Sequence, residues 1–191
     1  MNLDRHDHDK DCDGCKIVIN CGGGHQKPTK GHHPEYAEVF SVTEQPLSES
    51  LAPNAAGQIV LLEQTIFATP NIDVSQAAVN GKIFINRAGW YDVFTGMCGS
   101  LNPIASPLPV WTLSLFRNGV IVPGSTFGSM TLSPEQKANE IVADVFVHLD
   151  AGDFLELANT STAPVVLTAP SLGTNAQTNS AYLKIVMLEA D

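Results

Sequence analysis

Val145-Phe146-Val147-His148-Leu149-Asp150-Ala151-Gly152-Asp153-Phe154-Leu155-Glu156-Leu157 is the stretch whose reading decides the fold. Apolar residues alternate with period two up to Leu149, a four-residue Asp-Ala-Gly-Asp turn interrupts them, and a second β-type run follows. Alternation of this kind places one face of a strand in a core, and Gly152 allows the tight reversal. The same grammar recurs on both sides. Candidate strands are Ala37–Val42, Gln58–Thr65, Lys82–Asn86, Trp90–Gly96, Val110–Arg117, Val120–Pro123, Ile141–Leu149, Phe154–Ala158, Val165–Thr168 and Ala181–Leu188. Asn118-Gly119, between two of them, tolerates the positive φ of a type I′ hairpin turn. Only Ser133-Pro134-Glu135-Gln136-Lys137 reads as helix, for a single turn, with a Ser cap and a Pro start. So many short strands at regular spacing predict an all-β, antiparallel jelly-roll sandwich.

The chain has 191 residues, 43% of them hydrophobic and 16% charged, with a net charge of −10. That length supports one domain with a substantial core plus an appendage. The charge is unevenly placed. Residues 1–33 hold five Asp and five Lys or Arg, so the excess belongs wholly to residues 34–191, where 15 acidic residues face five basic ones. A body so poor in cations cannot neutralise a run of phosphates, which argues against nucleic acid and against anionic membranes as partners. No window approaches the roughly 18 apolar residues of a membrane span, so no membrane insertion is expected. The opening residues lack the apolar core of a cleavable secretory signal.

Composition breaks near Pro34. Residues 1–33 carry five of the six His and three of the four Cys, with few large hydrophobes. Such a segment buries too little apolar surface to offset its ordering entropy. It reads as an extended N-terminal arm, with Gly22-Gly23-Gly24 in a hinge before the domain at 34–191.

The arm carries the chemistry-bearing candidates. Cys12, Cys15 and Cys21 are an odd number, which favours disulfides between chains. Cys12-Asp13-Gly14-Cys15 lacks the second pair that a zinc site needs. Ile17-Val18-Ile19 is a strand-sized apolar run with no core of its own, suited to adding to a neighbouring sheet as a donor strand. Asp9, Asp11 and Asp13 followed by Gly14 match the opening of a calcium loop, yet position twelve is Asn20 rather than Glu. A solvated acidic tail is the plainer reading, and no metal or other cofactor is expected. In the body, Cys98 reads as a small buried hydrophobe just past the end of its strand. His148 reads as a partly exposed or hydrogen-bonded sheet residue. Asp150 and Asp153 read as turn carboxylates. No nucleophile elbow, zincin, phosphate-loop or dinucleotide motif is present, so no catalytic residue is assigned and the chain is not expected to be an enzyme.

Four blocks in order carry a resemblance. They are Gly81-Lys82-Ile83-Phe84-Ile85-Asn86-Arg87-Ala88-Gly89-Trp90-Tyr91-Asp92-Val93-Phe94, then Leu113 to Gly119, then Val145 to Leu157, then Ser180 to Val186. Together they resemble the C1q/TNF-like jelly-roll superfamily over roughly residues 36–190. The Pro-, Ser- and Thr-rich acidic character is similar to the bacterial spore-surface type: the heads of BclA-type exosporium glycoproteins and related basal-layer proteins. The resemblance implies a homotrimer, with Phe84, Trp90, Tyr91, Phe94, Phe146 and Tyr182 filling the core and the contacts between protomers. It also implies a structural, self-assembling role at a spore surface or in a surface fibre, with copies of itself and other spore-surface proteins as partners. The alternative is an adhesive head that binds a glycan or protein through loops Asn102–Pro109 and Ser161–Pro164. No collagen-like stalk is present, so the stalked filament of that family does not carry over.

Overall fold

The computed structural model describes residues 34–101, 110–130, 139–168 and 179–191. The arm, with its cysteines, its apolar run and its aspartates, lies outside the described residues. So do Asn102–Pro109 and the helical turn expected at Ser133–Lys137.

Twelve strands and one helical turn follow in chain order among the described residues: β1 Tyr36–Ser41, β2 Gln45–Leu47, β3 Gln64–Ala68, β4 Ile72–Asp73, α1 Ala77–Asn80, β5 Ile83–Ile85, β6 Gly89–Leu101, β7 Val110–Arg117, β8 Val120–Met130, β9 Asn139–Leu149, β10 Phe154–Asn159, β11 Val165–Leu167 and β12 Ala181–Ala190. They form two antiparallel sheets. The larger runs β2-β11-β6-β12-β1-β3, with β9 on the other edge of β6; the smaller runs β4-β5-β10-β7-β8. The expected all-β jelly roll is the observed one. No described helix is long and apolar enough to cross a membrane.

Period-two alternation builds the core. Tyr91 and Val93 of β6, Val145, Val147 and Leu149 of β9, and Leu183 and Ile185 of β12 point inward from the large sheet. They meet Ile83, Ile85, Trp111, Leu113, Leu115, Leu155 and Leu157 of the small sheet. Asn118 (φ 53°) and Gly119 (φ 77°) both take positive φ, the backbone that a type I′ turn between β7 and β8 requires. Near that turn an ion cluster ties the sheets together. Arg117 reaches Asp150 at 2.6 Å and Asp153 at 2.7 Å, and donates to the His148 carbonyl at 3.0 Å. Burial works to raise the Asp153 pKa, but the Asp150 N–H, Asn118 and Arg117 together hold it below the usual carboxylate value.

Several boundaries differ from the sequence reading. Residues 58–63 do not form a ladder: they make one isolated bridge, Ile59 with Ala158. Val60 and Leu62 are nonetheless buried, so the alternation there reports burial rather than strand pairing. β8 continues through Pro123 and Gly124 to Met130 instead of stopping at Pro123. β6 runs on to Leu101, which places Cys98 inside the strand rather than beyond it.

Candidate assembly face

The outward side of the large sheet is the feature that sets this body apart. Strands β9, β6, β12 and β1 present their even-numbered residues there. In β9 the exposure alternates so that Val142, Asp144 and Phe146 face out while Ala143, Val145 and Val147 are buried. A solvated sheet face ordinarily carries polar residues at those positions. Here Phe146 is 65% exposed, Leu188 56%, Trp90 49% and Val142 44%.

Register sets the neighbours. Trp90 lies beside His148, Asp92 beside Phe146, Phe94 beside Asp144, and Gly96 beside Val142. On the other edge of β6, Phe94 lies beside Lys184 and Gly96 beside Tyr182. The Trp90 and His148 rings meet edge-on at 5.4 Å. Phe94 and Tyr182 are tilted at 5.7 Å. Gly96 lets the Tyr182 ring lie across the strand: a Cβ at that position would sit 2.4 Å from it. Tyr36 and Phe67 stack at 6.0 Å farther along, and the Lys184 ammonium stands 5.4 Å from the Tyr36 ring.

Two carboxyls sit within this apolar surface. Asp92 is pushed above the ordinary Asp pKa by a hydrogen bond with Asp144, by burial and by the Asp144 charge, against the pull of Lys184. Asp92 Oδ1 is itself buried with no hydrogen-bond partner. Tyr36 is pushed up to about 12 by its hydrogen bond to Glu38, with burial and the Glu38 charge adding.

At the end of the face near Cys98 lies a cavity of about 290 Å³, lined by Gly96, Met97, Cys98, Glu140, Ser180 and Tyr182. Cys98 is only half-buried and free, not the enclosed hydrophobe the sequence suggests. Burial and then the Glu140 carboxylate raise its thiol pKa, which keeps it protonated and a poor nucleophile. Among the described residues no group of three or more His, Cys, Asp or Glu is placed to hold a metal.

The six aromatics grouped by sequence are therefore divided. Tyr91 is buried in the core, and its hydroxyl donates to the Arg87 carbonyl at 2.6 Å. Phe84 is half-buried on the small sheet against Phe154. Trp90, Phe94, Phe146 and Tyr182 share the outer face of the large sheet. Core filling thus falls to Tyr91, because adjacent strand residues such as Trp90 and Tyr91 must point to opposite faces. That parity rule was the available signal for Asp92, Phe94 and Asp144 as well. His148 is partly exposed and approaches Asp191 at 3.0 Å. In the proposed binding loop, Ser161 is buried, and its hydroxyl accepts the Thr112 N–H at 2.8 Å. It holds the sandwich corner and does not offer itself to a ligand.

No protein-family model matches this chain, and no curated protein matches it. Solved structures do. The chain is similar to the Eiger TNF of S. frugiperda at 16% identity, covering 83% of this chain and 96% of that one, with a TM-score of 0.53. It is similar also to the globular domain of the zebrafish complement 1qA protein (10% identity, 82% and 99% covered, TM-score 0.49) and to murine APRIL (9%, 82% and 100%, TM-score 0.48). The body thus has the jelly-roll fold of the Eiger TNF structure, and the fold is what the likeness shows.

Proposed function

We propose that this chain is a structural, self-associating subunit of a bacterial spore surface layer or surface fibre. Copies meet as homotrimers through the outer face of the large sheet. Their arms then link assemblies through strand addition by Ile17–Ile19 and intermolecular disulfides from Cys12, Cys15 and Cys21. Other spore-surface proteins are the further partners, and the site of action is the spore surface or the extracellular side. The carrying observation is the outer face itself: Phe146, Trp90 and Val142 lie open on adjacent strands, and contiguous exposed apolar surface marks a contact site. The absence of a catalytic motif fits a role without chemistry.

The test is electron microscopy and non-reducing electrophoresis of the full chain under oxidising conditions, beside a variant lacking residues 1–33. Ladders or filaments that need the arm and collapse with reductant are expected. A soluble single species indifferent to reductant and arm would overturn the reading. The cavity beside Tyr182 favours a second reading, a trimeric head that binds a glycan or protein ligand. Saturable binding to a glycan array by such a soluble species would support it.

A further inference from the structure

We propose that Asp92 and Asp144 form a proton-sharing pair that makes association through the outer face acid-favoured. This rests on that face being the contact between copies.

The two carboxyls occupy diagonal positions on the regular β6–β9 ladder of the face. Asp92 is opposite Phe146 and Asp144 is opposite Phe94, so each is flanked by a phenyl ring. The neighbouring Asp144 carboxyl raises the Asp92 pKa, and two carboxyls on diagonal positions of one ladder resist ionising together, which favours one proton held between them. Asp92 Oδ1 is already shielded from solvent and has no hydrogen-bond partner. Lys184, opposite Phe94 on β12, is the single cation beside the pair among the described residues.

The remaining charged and titratable groups lie farther along the face. Glu140 and His148 are at the two ends of β9, Cys98 is toward the end of β6, Tyr182 and Glu189 are on β12, and Tyr36 and Glu38 are on β1 and bonded to each other. β8 contributes no titratable side chain.

With one shared proton, the set of Asp92, Asp144 and Lys184 is neutral and can be covered by an apolar partner. With both carboxyls ionised it carries a net negative charge that a water-excluding contact must desolvate. Burial in the contact favours the protonated pair further, so each copy that associates at higher pH must first take up a proton. Proton linkage then weakens association by up to about tenfold per pH unit for each copy in the assembly.

The experiment is sedimentation equilibrium of the full chain, with reductant to silence the arm, from mildly acidic to mildly alkaline pH. Wild type is compared with Asp144→Asn and Asp92→Asn. Glu44→Gln, an exposed carboxylate off this face, controls for the same change in net charge. Wild type and Glu44→Gln should weaken steeply as pH rises. Each Asn variant should be flattened, and tighter than wild type at the alkaline end, because the amide keeps a hydrogen bond without a charge to lose. Association that persists with no pH slope, or Asn variants that keep the wild-type slope, overturns the proton-sharing pair and leaves the face intact. No association at any pH overturns the face, and this inference with it.

Discussion

Replacing Phe146 with alanine separates the outer face from the fold more cleanly than any other single change. The side chain is 65% exposed. A phenylalanine presents roughly 200 Å², so about 130 Å² stands open in the isolated body. Covering that area at about 25 cal/mol per Å² is worth about 3 kcal/mol. The association constant should therefore fall on the order of a hundredfold for each copy whose Phe146 is covered. Folding stability should scarcely change, because little of that ring is buried within the chain. Light scattering after size exclusion, with concentration varied, measures the first quantity, and a thermal melt under fully dissociating dilution measures the second. Val120→Ala is the matched control: Val120 is 69% exposed but belongs to the small sheet, and it should leave association alone. If Phe146→Ala associates as tightly as wild type, or if Val120→Ala weakens association equally, the face is not the contact.

Three further outcomes concern the body itself. Leu155→Ala, at a fully buried position, should cost about 2–5 kcal/mol in denaturant unfolding by opening a cavity between the sheets. Gly89→Ala should be more damaging than a typical surface change. Its φ is 155° and a Cβ would fall 2.1 Å from the Glu189 carbonyl oxygen, so the start of β6 must separate from β12; loss of the cooperative melt, or a much lowered midpoint, is expected. Asp153 has a depressed folded pKa, so its contribution is present above the unfolded Asp value and is lost as pH falls through the folded one. Wild type should accordingly lose stability in that acid window, whereas Asp153→Asn should start lower at neutral pH and fall less; parallel acid titrations of the two would contradict the Arg117 cluster.

The sequence announced its architecture wherever alternation and turn chemistry agreed. β7 coincides with the expected Val110–Arg117, and the Asn118-Gly119 turn takes the expected backbone. Where the two signals parted, the reading failed. β2 contains Pro46 and β4 is two residues long, so neither offers a period to detect. Residues 58–63 offer a period but make a single bridge to β10 instead of a ladder, since alternation records which side is buried and is silent on what pairs with it. The outer face was legible only in part. Its aromatic residues could be named, but their division between core and surface needed strand parity. Parity could place Asp92 and Asp144 on that face, but their pairing, across 52 positions, gave no signal until the β6–β9 register brought them together.

The place of β1 in the large sheet has a mechanical consequence. The strand that continues from the arm is flanked on both sides, by β12 from Tyr36↔Val186 to Ser41↔Ala181 and by β3 from Ala37↔Ala68 to Phe40↔Gln64. A pull at residue 34 that runs along β1 would load the backbone bonds of two ladders in parallel, instead of peeling them one after another. A tether rooted in an edge strand would unzip under the same pull. Rooted in a strand paired on both sides, it would give the jelly roll the behaviour of an anchor that resists such a pull.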